Sequence, residues 1–191
     1  MRAAGRRPGE NATREEILVA ARRLFAANGY DRTTVRGIGA AAGVNAAMVH
    51  YFFGSKEQVF VAALRLPVNP AQMLPALLAG PRERFGERVA GFLMSLWSSP
   101  ETRPVLVAML RSMIGNEQAA SMMQEFFRTA VIERAADALG VPRFRLAAAA
   151  SQAVGLMLFR FVIAIEPLAA ADDAQIAEQL ATMIQYTIDA G

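Results

Sequence analysis

"GVNAAMVHYFFGSKE", residues Gly43 to Glu57, decides how this chain is read. A Gly-Val pair precedes a helix-sized run, the run closes on His50, Tyr51, Phe52 and Phe53, and Gly54, Ser55 and Lys56 lead at once into another helix. Gly43 suits a tight turn between two short helices, because glycine takes left-handed backbone at no steric cost. Asn45 is a good N-cap for a helix running about Ala46 to Phe52. Val49, Phe52 and Phe53 can anchor that helix inward, which turns His50 and Tyr51 outward. Ser55 with Gln58 forms a capping box for the helix that follows.

Upstream, "VRGIGAAAG" (35–43) reads as a short helix with Val35, Ile38 and Ala42 inward, and the threonines before it are suited to N-capping. Gly37 and Gly39 each weaken it by about 1 kcal/mol relative to alanine, so tertiary packing must hold it. "TREE" (13–16) predicts a capping box of Thr13 and Glu16 opening a first helix. Ile17, Ala21, Leu24 and Phe25 then recur at helical spacing as far as the stop at Gly29. Residues 1–12 read as a flexible basic arm; Arg2, Arg6 and Arg7 either track DNA or form an unstructured tail. Helix starts this close together describe a three-helix DNA-reading unit over 13–55, feeding a fourth helix.

Composition agrees. The 191 residues are 54% hydrophobic, rich in Ala, Leu, Met, Arg and Glu, and poor in β-branched runs, which predicts an all-α protein of about nine helices. Residues 1–56 carry nine Arg/Lys against four Asp/Glu, a balance of +5, whereas residues 57–191 balance at −2. Basic charge confined to the N-terminal third points to an anionic partner there, nucleic acid ahead of membrane. The absence of cysteine excludes disulfides and thiolate metal sites and fits a cytoplasmic location. The most apolar stretch, Ala147–Pro167, is interrupted by Gln152 and Arg160, which argues against a membrane span.

"TTVRGIGAAAGVNAAMVHYFFGSKEQVF" (33–60) resembles the N-terminal domain of the TetR family of transcriptional repressors, and the likeness runs from Thr13 to about Leu64. "LRSMIGNEQAASMMQEFF" (110–127) also resembles a C-terminal domain subtype common in actinobacterial members. The resemblance implies that Thr33 and Thr34 cap the second helix and touch phosphate, and that Arg36 reaches a base edge or phosphate. Asn45, Ala46, Ala47 and Met48 are expected to face the major groove. His50 stands where relatives usually carry a DNA-contacting tyrosine, Tyr51 is expected to bond a phosphate, and Lys56 to clamp one at the start of the fourth helix. Ala46 and Ala47 depart from the pattern: they can touch thymine methyls but make no hydrogen bonds, so direct readout falls to Arg36, Asn45 and His50.

Residues 56–191 are expected to form a ligand-binding and dimerisation domain. The resemblance implies a cavity within its helices and a dimer through the last two, roughly Arg143–Ile165 and Asp172–Ala190. The stripe Ile176, Leu180, Met183, Ile184 and Ile188, with the small residues Ala149, Ala150, Ala153 and Gly155, suits a four-helix interface. Phe60, Phe92, Leu96, Trp97, Met109, Met113, Met122, Phe126, Met157 and Phe161 are candidates to line an apolar pocket, with Arg111, Gln152 and Arg160 able to orient a polar group; the same residue types equally build an ordinary core.

One histidine, no cysteine and no carboxylate pair at ligand spacing leave no catalytic constellation, no metal site and no cofactor motif. The expectation is therefore a non-enzymatic, homodimeric regulator of a palindromic operator in double-stranded DNA, released by a small apolar effector. The alternative is a constitutive or architectural DNA-binding dimer.

Overall fold

Helix-forming composition is realised throughout the described residues. The computed structural model describes residues 8–190, and among them every regular element is helical. Two compact units result. The first joins residues up to Asn69 with the segment Asn116–Phe126; the second comprises Pro70–Gly115 and the residues from Phe127 onward.

The first unit contains α1 (Pro8–Arg32), α2 (Val35–Ala41), α3 (Ala46–Phe53), α4 (Lys56–Ala63) and most of α8 (Glu117–Phe127). It therefore extends past residue 55 and takes in a helix from far downstream. The first helix begins at Pro8, not at Thr13: proline is tolerated in a first turn because its missing N–H has no intrahelical partner there. Thr13 and Glu16 stand inside the helix, and residues 1–7 of the expected arm, with Arg2, Arg6 and Arg7, lie outside the described residues. Gly29, at φ 78°, breaks the helical path.

The caps expected further on are present. Thr34 Oγ1 accepts from the Gly37 amide at 3.0 Å, Asn45 Oδ1 from Met48 at 2.8 Å, and Ser55 Oγ from Gln58 at 3.2 Å. Gly43 makes the turn between α2 and α3 at φ 71°. The weak helix former Gly39 has a packing reason. A Cβ there would stand 2.9 Å from the Val44 carbonyl oxygen and 3.2 Å from the Asn45 carbonyl carbon, so only a bare Cα lets α2 approach the turn.

The second unit contains α5 (Pro70–Leu78), α6 (Phe85–Trp97), α7 (Arg103–Gly115), α9 (Glu133–Leu139), α10 (Arg143–Met157) and α11 (Asp173–Asp189). A π-helical turn, Arg128–Ile132, joins α8 to α9, and another, Leu158–Val162, extends α10. Gly140, in left-handed conformation, ends α9, and a capping box of Asp172 and Gln175 opens α11. Packing of α6, α10 and α11 buries Phe85, Met94, Trp97, Leu146, Met157 and Leu180.

The α11 stripe is spent on the core of its own unit. Ile176, Leu180, Ile184 and Ile188 are buried in the core of their own unit, where α11 packs against α6, and so are unavailable to a second chain. Apolar side chains left exposed from α10 to α11 are Phe144, Val154, Phe159, Ile163, Ile165 and Tyr186. The stretch Arg143–Val162 is long and apolar enough by composition to cross a membrane, yet it holds Arg160, whose guanidinium pairs with Asp173 at 2.7 Å and donates to the Leu168 carbonyl at 3.2 Å. Gln152 likewise accepts from Thr187 at 3.0 Å. Both polar groups tie helices together.

Gly39→Ala is expected to destabilise the first unit by about 1–3 kcal/mol, because the overpacked methyl meets backbone rather than a side chain that can move aside. Alanine's better helix propensity offsets about 1 kcal/mol of that cost. Thermal denaturation followed by circular dichroism measures the net loss; a raised Tm would remove the packing explanation for Gly39.

Candidate nucleic-acid interface

Helix α3 is short, so its orientation rests on what it buries. Val49 and Phe53 point into the first unit, with Arg14 of α1 held 5.1 Å from the centre of the Phe53 ring. The opposite face is open. Asn45, Ala47, Met48, His50 and Tyr51 are exposed, Ala46 is half-buried, and the neighbouring Thr34 and Arg36 are exposed as well. Tyr51 is 69% accessible, its ring edge resting on Phe52. Donors and apolar groups thus sit together on one surface of a basic unit, as a helix entering a major groove requires.

Each polar side chain there has a defined state. Asn45 spends Oδ1 on its cap, which leaves its Nδ2 group to donate. Thr34 uses an Oγ1 lone pair on Gly37, and its hydroxyl hydrogen stays available. His50 places Nδ1 2.9 Å from the Gly54 carbonyl oxygen, closing the end of its own helix.

Two residues expected at phosphates are engaged within their own unit. Thr33 is 2% exposed and caps nothing; its Oγ1 lies 2.7 Å from the Gly29 carbonyl and 3.1 Å from that of Leu24, sealing the end of α1. Lys56 is folded back on its own unit, donating to the Asp31 carbonyl at 3.2 Å, with Nζ 4.2 Å from the Tyr30 ring centre. Burial holds its pKa below the ordinary lysine value, and the carboxylates of Asp31, Glu57 and Glu125 pull it partly back up.

The residues expected to line an effector pocket divide between the units. Phe60, Met122 and Phe126 are buried in the first. Phe60 stacks on Phe126 at 4.7 Å and meets Phe25 and Tyr30 edge-on at 4.9 and 5.0 Å. Trp97 and Met157 are buried in the second, Phe92, Leu96, Met109, Met113 and Phe161 are half-buried there, and Phe161 stacks on Trp97 at 5.5 Å. Arg111 is exposed. An open groove of about 490 Å³ lies on the first unit between α1 and the end of α2, lined by residues such as Glu15, Val19, Arg23 and Ala41; none of the pocket candidates borders it.

Sequence reasoning missed what fastens α8 to α1. Glu125 accepts from the Asp31 amide at 2.8 Å, and Gln118 donates to the Ala26 carbonyl. No local signal announces a bond spanning ninety-four positions.

Residues 17–63 match the family model described as bacterial regulatory proteins, tetR family, and residues 83–188 match a tetracyclin repressor-like C-terminal domain. The chain is 43% identical over 63 residues to the HTH-type transcriptional repressor AcnR of Corynebacterium glutamicum, covering 33% of this chain and 32% of that protein. It is 32% identical over 102 residues to the HTH-type transcriptional repressor NicS of Pseudomonas putida, covering 51% and 46%. These matches span a third to a half of each curated relative. Among solved structures, a TetR-family regulator from Streptomyces coelicolor (SCO0857) is 36% identical over 97% of this chain and 99% of that one, with a TM-score of 0.49.

Phe60→Ala should cost about 3–5 kcal/mol of stability, as a cavity opens in the four-ring cluster. Unfolding curves and operator affinity should therefore fall together; a variant of normal stability that responds differently to an effector would return Phe60 to a pocket. For Lys56 the sign is fixed by its depressed pKa. The unfolded state binds more protons than the folded state between the depressed value and 10.5, so the penalty is full below this window and relieved as pH rises through it. The stability of Lys56→Met relative to the unmodified chain should decline with rising alkaline pH, and a pH-independent difference would contradict the burial.

Proposed function

The chain belongs to the TetR family of bacterial transcriptional regulators, and from that premise we propose that it acts in the cytoplasm as a ligand-responsive repressor. Two copies form a homodimer, their α3 helices read the half-sites of a palindromic operator in double-stranded DNA, and a small, largely apolar effector releases the complex. The observation that carries this reading is the exposed surface of Thr34, Arg36, Asn45, Ala47, Met48, His50 and Tyr51, beside a helix α3 whose other face buries Val49 and Phe53. Thr33 is not part of it, and Lys56 joins it only by leaving the Asp31 carbonyl and the Tyr30 ring.

Dimerisation follows from the length of the reader. Eight residues of α3 touch a few base pairs, so a specific site needs two half-sites, about 34–36 Å apart for successive turns of the groove. The free face of α10 and α11 that carries Phe144, Val154, Phe159 and Tyr186 is the surface suited to the pairing. For the effector, the half-buried Leu96, Met109, Met113 and Phe161 beside Trp97 provide adaptable apolar contacts in the second unit. An effector acts by its differential affinity for DNA-competent and incompetent conformers. A constitutive architectural role is the second reading, favoured by Ala46 and Ala47, which offer no hydrogen bond to a base.

Selection of bound DNA from a random pool, repeated across a salt series, tests the proposal. A palindromic consensus with a steep salt slope supports the repressor; salt-sensitive binding without sequence preference favours the architectural role. Arg36→Ala should cost ~1–3 kcal/mol on the selected site and far less on random DNA. Val154→Arg should shift sedimentation to the monomer and abolish tight operator binding, because an unpaired charge cannot be buried at the interface. A stable Val154→Arg dimer would place the interface elsewhere.

A further inference from the structure

The hydrogen-bond polarity of α3 is uneven. Arg36 can only donate, Asn45 has one lone pair of its amide oxygen engaged in the helix cap, the Tyr51 hydroxyl can donate or accept, and Ala46, Ala47 and Met48 bring carbon and sulfur. The outward nitrogen acceptor belongs to His50. A carbonyl oxygen has no hydrogen to give, so at 2.9 Å from Gly54 O it is Nδ1 of His50 that carries the proton. In the neutral ring Nε2 is then a bare lone pair, and it makes no hydrogen bond among the described residues. The left-handed cap at Gly54 (φ 78°), whose amide also donates to the His50 carbonyl at 2.7 Å, fixes this orientation.

We propose that His50 is a specificity determinant that reads a base amino group, N6 of adenine or N4 of cytosine, through Nε2 as acceptor. The inference rests on the operator-reading proposal above and adds the chemistry of one contact. A lone pair repels phosphate oxygens, which only accept, so the neutral ring is matched to a base edge rather than to the backbone. In the major groove every base pair shows one amino group, on its adenine or its cytosine, whereas guanine O6 and thymine O4 are acceptors. His50 therefore distinguishes which strand carries the amino base, and excludes guanine and thymine from the position it faces. A tyrosine at the same place, with a hydroxyl able to donate, has no such preference.

The test uses the full-length protein and its His50→Asn variant. Asparagine keeps a donor for Gly54 near the position of Nδ1 but lacks Nε2. Selection from a random pool should give the unmodified protein a consensus with adenine or cytosine at one half-site position, and that preference alone should vanish in His50→Asn. Replacing the selected base by its analogue without the major-groove amino group, 2-aminopurine for adenine or pyrimidin-2-one for cytosine, should weaken the unmodified protein about tenfold and the variant hardly at all. Guanine or thymine at the position that His50→Asn alters would overturn the assignment while leaving operator reading intact. So would an amino deletion without effect, joined to equal losses by His50→Asn on operator and random DNA. A pool that yields no consensus would overturn both proposals together.

Discussion

The first unit depends on the ring of Phe60. It is fully buried and touches Phe25 and Tyr30 from α1 and Phe126 from α8, so one side chain of α4 holds three helices at once. Aromatic contacts at these spacings, edge-on and stacked, add directional preference to simple area burial. Because α1 is fixed this way, its end at Tyr30–Arg32 becomes a site where other groups can fasten. Thr33 seals it from below, Glu125 accepts from the Asp31 amide, and Lys56 donates to the Asp31 carbonyl while lying over Tyr30. Residues expected to face an anion are thus recruited to secure the platform beneath the reader.

On that platform two intrinsically poor helices become rigid. Helix α2 carries Gly37 and Gly39 and has seven residues, too few to be stable alone. Gly39 spares the space that α2 needs against Val44 and Asn45, and the Val44 amide returns a hydrogen bond to Gly39 O at 2.9 Å. Helix α3 is closed at both ends by its own residues, Asn45 at the start and His50 with Gly54 at the finish. Each closure consumes hydrogen-bonding capacity that DNA would otherwise meet. Capping and readout therefore draw on the same atoms, and the polarity left over sets the chemistry a base must present.

The second unit follows a different rule. Its core is aliphatic and methionine-rich, with Trp97 on Phe161 and Arg160 joined to Asp173 where the chain turns from α10 to α11. Packing α11 on α6 buries the regular apolar stripe of α11, and the apolar side chains that stay exposed lie on the outer side of α10, in the segment after it and at Tyr186.

The all-α class, the helix-turn-helix order, the caps at Thr34, Asn45 and Ser55 and the turn at Gly43 were legible in the sequence, because each is settled by bonds within a few residues. So was the outward turn of His50 and Tyr51, since helical periodicity separates them from Val49 and Phe53, whereas the place of Arg36 came from the resemblance alone. The first helix start was misjudged at Thr13, where a well-formed local capping pattern lay inside a helix that proline had already opened at Pro8. Other features were decided only in three dimensions: the inward turn of Thr33 and Lys56, the attachment of α8 to α1, and which face of α11 is spent on its own core. Amino-acid type and spacing state what a side chain can bond, but when several partners suit it, burial and the meeting of distant segments choose among them.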